Sequence, residues 1–198
     1  MGKVTSSTLI ALLVLAGLSS CRAEEAPVSV VSLRESLSDL EDAARPWSPD
    51  AYLANAELPI HYGSPGPWLV SAGFNSTTEQ FQSLLVFLRE DGTVDTEIIP
   101  HTVPVVQVVP IEASDWEVDS QEALDIAPDE EGMRFLEKHP GAGCSSLTLV
   151  RIGLESGSPV VWRLVLSDCL DPWVGQTTEI DAITGEVISR KMHSPPAP

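Results

Sequence analysis

Apolar residues recur at two periods along this chain, and the switches between them set out its elements. Val30, Leu33, Leu37 and Leu40 stand at helical spacing, with Ser29 or Ser32 placed as a cap, so the pattern predicts a helix over about 30–44 that Pro46 ends. Ser48-Pro49-Asp50 reads as a cap, a proline at the first helical position and an acidic first turn, and predicts a second short helical turn toward Ala56. Strand patterns follow at Trp68–Phe74, Phe81–Arg89 and Thr93–Ile99, the last two joined by the hairpin signal Asp91-Gly92. His101 to Pro110 is a valine-rich connector that its prolines keep extended. Asp119 or Ser120 then caps a helix through Ala127, and Pro128-Asp129-Glu130-Glu131 opens another ending near His139-Pro140. Strands are predicted at 145–153, 160–168 and 176–183, the last turning at Thr184-Gly185 into Glu186-Val187-Ile188.

The pattern divides the chain into 29–110 and 111–191, each running from helix to strands with a tight turn, and a disordered tail at 192–198. The expected fold class is therefore α+β, with each helix packed on its own antiparallel sheet. Leu147, Leu149, Trp162, Leu164 and Leu166 fall on one face, extended by Ile180 and Ala182, beneath a helix carrying Ala123, Leu124 and Ala127. Asp181, Glu179 and Arg163 fall on the other, where Asp181 is either a solvated strand residue or a ligand-binding one.

The N-terminus adds an address. Lys3, the apolar run Leu9–Leu18 and Ser19-Ser20 describe a secretory signal peptide over 1–20, too short to span as a mature helix. Leu18-Ser19-Ser20-Cys21 resembles the bacterial lipobox, which implies that Cys21 carries the lipid, palmitate among its chains, and tethers the protein through a linker at 21–28. Two or three acyl chains hold stably where one is marginal. An ordinary secretory signal is the alternative. Arg22 after the cysteine points to the outer membrane, facing the periplasm, if the source is Gram-negative.

Charge narrows the partners. The formal net charge is −18, and removing 1–20 takes away Lys3 alone among the charged residues, which makes it one more negative. Such a surface repels nucleic acid and anionic lipid, so the lipid rather than a basic patch must reach the membrane. With Cys21 assigned to lipid, Cys144 and Cys169 are left as a pair in an oxidising compartment. If Ser156-Gly157 is a two-residue hairpin loop, Glu155 faces Ser158, and counting outward brings Cys144 opposite Cys169 on a non-hydrogen-bonded site, where a disulfide fits. The same count puts Arg151 opposite Trp162 in cation–π reach. Two free thiols, or a Cys144 nucleophile with His139 as its base, are the rival readings.

Asp119-Ser120-Gln121-Glu122-Ala123-Leu124-Asp125-Ile126-Ala127, Pro159-Val160-Val161-Trp162-Arg163-Leu164 and Ile180-Asp181-Ala182-Ile183-Thr184-Gly185-Glu186-Val187-Ile188 together resemble the PepSY domain over about 119–189. Arg45-Pro46-Trp47-Ser48-Pro49-Asp50-Ala51-Tyr52-Leu53, Trp68, Phe74 and Asp91-Gly92-Thr93-Val94 look like a diverged copy that lacks the Asp-Ala-x-Thr-Gly turn. The resemblance implies two PepSY/cystatin-like units and an inhibitory or interaction role, and it transfers no catalytic residue.

No cofactor or metal is expected. His61, His101, His139 and His193 lack metal-ligand spacing, and Asp115, Asp119, Asp125 and Asp129 follow no calcium loop. Nucleophile elbows, phosphate loops and dinucleotide fingerprints are missing, and Asn75-Ser76-Thr77 is a bare sequon. The expected function is a membrane-tethered, non-enzymatic envelope lipoprotein that binds a protein or inhibits a peptidase through a sheet edge or loops. The alternative is an enzyme, or an accessory subunit of one, with an unrecognised site.

Overall fold

The computed structural model describes residues 30–60, 68–106, 108–130, 132, 134–135, 144–155, 157–167 and 175–193. Helix α1 spans Leu33–Ala44, with Ser32 as its cap accepting from the Glu35 N–H, and it buries Leu33, Leu37 and Leu40 of the predicted stripe together with Ala44, while Val30 lies before the helix and is half-buried. Four strands follow, β1 (Tyr52–Ile60), β2 (Val70–Asn75), β3 (Gln82–Leu88) and β4 (Val94–Pro100). A single 3-10 turn at Ala113–Asp115 leads to helix α2 (Ser120–Ile126). Strands β5 (Ser145–Arg151), β6 (Val160–Ser167), β7 (Gly175–Asp181) and β8 (Val187–His193) complete the chain.

The expected pair of separate PepSY/cystatin-like, helix-on-sheet units is not what forms. All eight strands join one antiparallel sheet in the order β4-β3-β2-β1-β5-β6-β7-β8, accompanied by the short helices α1 and α2 and by helical residues at 130, 132, 134 and 135. The reason lies in β1, which pairs with β2 on one side and with β5 on the other, from Asn55 opposite Val150 to Ile60 opposite Ser145. A strand with ladders on both sides leaves no edge between the halves, and its backbone groups are satisfied across the seam. The segment read as a helical turn is this strand. Pro49 and Asp50 do form a turn, closed by the Ala51 N–H on the Ser48 carbonyl, but the chain then extends. Pro59 is tolerated in a central strand because the ladder to β2 ends at Glu57, so its missing N–H breaks no bond there.

One core serves the whole sheet, and both helices contribute to it. Leu147, Leu149, Trp162, Leu164, Leu166, Ile180 and Ala182 are buried on the helix side, as the alternation predicts. The helices meet at their N-termini. Asp119 accepts from Ser32 Oγ at 2.5 Å and from the Arg34 N–H at 3.3 Å, while Ser120 Oγ accepts from the Leu33 N–H and donates to the Val31 carbonyl at 2.6 Å. A carboxylate between two positive helix ends offsets their mutual repulsion.

The β5–β6 register differs from the expected one by two residues. The Ser158 N–H does reach the Glu155 carbonyl around Gly157, but the ladder closes only at the Ile152 N–H and Pro159 carbonyl. Gly153, at φ +108°, and Leu154 bulge out on one strand, so Leu149 faces Trp162 and Arg151 faces Val160. The expected Arg151–Trp162 contact is therefore not made. Arg151 instead binds Asp115 at 2.5 Å and the carbonyls of Pro110 and Ser158, and the cation–π contact is Arg34 over Trp116 at 4.7 Å. The Ser167 hydroxyl donates to the Cys144 carbonyl at 3.0 Å, and Cys144 itself is disulfide-bonded. Cys169, Cys21, the 1–20 signal segment, the 21–28 linker, His61, His139 and the residues after His193 lie outside the described residues.

Candidate interaction surface

Helices α1 and α2 pack on one side, and the other side of the sheet is exposed at its centre, around Asn55 and Glu57, while Val161 on that side is buried. Asn55 and Glu57 are exposed although β1 has a strand on each flank, so no described element covers the sheet at that point. Pairing aligns one lateral row on this face across all eight strands: Asp95, Phe87, Ser71, Glu57, Thr148, Arg163, Glu179 and Ser189. The next row carries Glu97, Leu85, Gly73, Asn55, Val150, Val161 and Asp181.

The two ends of the face differ in chemistry. On the β2–β4 side, Trp68 tilts against Phe87 with centroids 5.3 Å apart, next to the Arg89–Asp95 pair at 2.5 Å. Ser71 and Gly73 are the small residues between the aromatic pair and the Asn55–Glu57 side. Gly73 has a packing reason, since a Cβ on it would stand 3.0 Å from Asn55 Oδ1. On the β6–β8 side, Arg163 donates to Glu179 Oε1 through Nε at 3.0 Å and Nη2 at 2.8 Å, and Ser189 Oγ donates to Oε2 at 3.1 Å. The Arg163 hydrogen bonds hold the Glu179 carboxyl below its ordinary range.

Asp181 is answered by the structure. Its Oδ1 accepts from the backbone N–H groups of Thr184 at 2.8 Å and Ile183 at 2.9 Å, which fixes the Thr184-Gly185 turn and lowers its pKa. Asp125 accepts from Gln121, and Asp129 from the Gly132 N–H and Gln176, so these acids serve helical segments. Among the described residues no group of three or more His, Cys, Asp or Glu could hold a metal ion. No described helix is long and apolar enough to cross a membrane.

Two hydroxyl–imidazole contacts went unforeseen in the sequence, because the residues are far apart in it. Ser83 Oγ lies 3.0 Å from His101 Nε2, and Thr177 Oγ1 lies 2.8 Å from His193 Nε2. Ser83 Oγ also lies 2.9 Å from Asn75 Oδ1, so its hydroxyl stands between the amide and the imidazole.

Asp50 forms the densest polar cluster. Its carboxylate accepts from Ser48 Oγ and Ser76 Oγ, each at 2.6 Å, from the Thr77 N–H and hydroxyl, and from Thr78 Oγ1, and this knot ties the β2–β3 turn to the start of β1. Ser48, then Ser76 and Thr77, hold the Asp50 carboxyl far below the usual carboxylate range. Asp91, held by Thr93, is lowered as well. For a carboxyl depressed in the folded state, the stability it adds is present above the unfolded pKa and is lost as pH falls through the folded one. Thermal unfolding should thus change little between about pH 7 and pH 5 and weaken below about pH 4. Asp50→Asn should flatten that acid limb, and a limb of unchanged steepness would remove Asp50 from it.

No family model matches the chain, and no curated protein matches it. It is similar to a crystal structure of a protein from Clostridium difficile 630, provisionally described as a lipoprotein, at 10% identity and a TM-score of 0.49. The match covers 84% of this chain and 95% of that one.

Proposed function

We propose that the chain is a lipid-tethered, non-enzymatic envelope protein whose open sheet face binds an envelope protein or a peptidase. The observation that carries this reading is the exposure of Asn55 and Glu57 at the centre of an eight-stranded sheet. A broad face with apolar side chains set among polar ones is the usual composition of a protein-binding surface. The lipobox-like Leu18-Ser19-Ser20-Cys21 and the PepSY-like stretch 119–189 support the tether and the interaction role.

The test is photo-crosslinking in intact envelopes, with the reactive group placed at Asn55. A discrete crosslinked partner is expected, and Glu57→Arg should reduce its yield without altering the fold. Cys21→Ser should move the chain from the membrane to the soluble fraction. No partner at Asn55, together with hydrolysis by the purified protein that Ser83→Ala or His101→Ala abolishes, would replace this reading with an enzymatic one.

A further inference from the structure

We propose that the two edges of the sheet are complementary and that a second copy of this chain adds its β8 edge to the β4 edge, making a head-to-tail assembly. The inference is independent of what the open face binds. It begins with strand count. Eight strands, each antiparallel to its neighbour, leave the two edge strands running in opposite directions. A second copy laid alongside with its helices on the same side therefore brings β8 antiparallel to β4.

The backbone phase agrees. The bonds Arg89 N–H to Thr93 carbonyl and His101 N–H to Phe81 carbonyl show that Asp95, Glu97 and Ile99 bond inward to β3, so Val94, Thr96 and Ile98 turn their N–H and C=O groups outward. Across the sheet, the Asp181 N–H bonds the Glu186 carbonyl, which assigns Ser189, Lys191 and His193 to the inward bonds with β7 and leaves Arg190 and Met192 facing outward. On both edges the outward residues carry their side chains on the helix side, so outward groups can pair without turning either sheet over.

Charge selects the partner and the register. Setting Thr96 opposite Met192 and Ile98 opposite Arg190 places Glu97 opposite Lys191 and Asp95 opposite His193 on the open face. Pairing β4 with another β4 opposes Asp95 and Glu97 to each other's carboxylates, and pairing β8 with β8 opposes Arg190 to Arg190 in one register or Lys191 to Lys191 in the next. Only the mixed pairing joins opposite signs. It also draws together the exposed apolar side chains of both edges, Ile98 on one and Ile188 and Met192 on the other. An interface of two different edges repeats, giving an open chain or a ring. Pro100 marks the end of the usable β4 edge, since it has no N–H to offer.

The test uses the secreted chain with Cys21→Ser, followed by sedimentation over a concentration series to roughly millimolar, the range that tethering imposes. Mass should rise with concentration. Glu97→Lys or Lys191→Glu alone should weaken association about tenfold, and the double variant Glu97→Lys/Lys191→Glu should restore it. Thr96→Pro blocks the β4 edge and Met192→Pro the β8 edge, so each alone should be monomeric and their mixture should stop at a one-to-one dimer. A wild-type chain that stays monomeric, a Thr96→Pro chain that still self-associates, or a double charge variant that fails to recover would overturn the proposal. Circular dichroism identifies any proline variant that does not fold, and the charge pair then decides alone.

Discussion

Trp162→Ala should lower the unfolding free energy by about 3–5 kcal/mol, the range for removing a large aromatic from a packed core. The side chain is completely buried, its Nε1 donates to the Val118 carbonyl at 2.8 Å, and its ring meets Trp116 edge-on at 6.0 Å. Truncation leaves a cavity and strips that buried carbonyl of its side-chain donor, and both costs fall on the junction between β6 and the segment entering α2. Urea titration measures the change. A loss under about 1 kcal/mol would mean that the site collapses freely and that Trp162 is not a keystone of this core.

Leu58→Ala should cost about 2–5 kcal/mol, and its effect should reach both ends of the sheet. Leu58 is fully buried on β1 opposite Leu147 of β5, at the ladder that joins β1–β4 to β5–β8. A single cooperative unit shifts as a whole when its seam is weakened. Calorimetry should show one transition displaced to lower temperature. Two transitions of which only the first moves would indicate halves that fold separately.

Alternation and caps made much of this fold legible. The α1 stripe, the Asp91-Gly92 and Thr184-Gly185 turns and the buried face from Leu147 to Ala182 depend on local periods of 3.6 and 2, which a sequence displays directly. The strand that unites the sheet was not legible. Ser48-Pro49-Asp50 carries the signature of a helix start, Ala, Asn and Glu in β1 have weak strand preference, and Pro59 argues against a central strand. What overrides them is burial of Ala56, Leu58 and Ile60 between β2 and β5, a non-local effect.

The register error has an equally specific cause. Gly157 lies in the tight turn that was expected, but Gly153, at positive φ, admits a bulge that no two-residue loop contains. The slip is an even number of residues, so the side chains of β5 and β6 kept their faces while their ladder partners changed. For the same reason Arg163, Glu179 and Asp181 were legible as one face, but the open row through Glu57 and Asn55 was not. That row exists only because β1 pairs with β5, and no short-range pattern announces such a pairing.

The continuity of the sheet fixes the open face and sets the two edges against each other, so the β1–β5 ladder is where the account is most exposed. Cross-strand nuclear Overhauser effects in the isotope-labelled protein measure it directly. Asn55 should connect to Val150 and Glu57 to Thr148, alongside the expected contacts of β1 with β2. A β1 that shows contacts to β2 alone, with β5 seeing only β6, would contradict the single sheet and everything built on it.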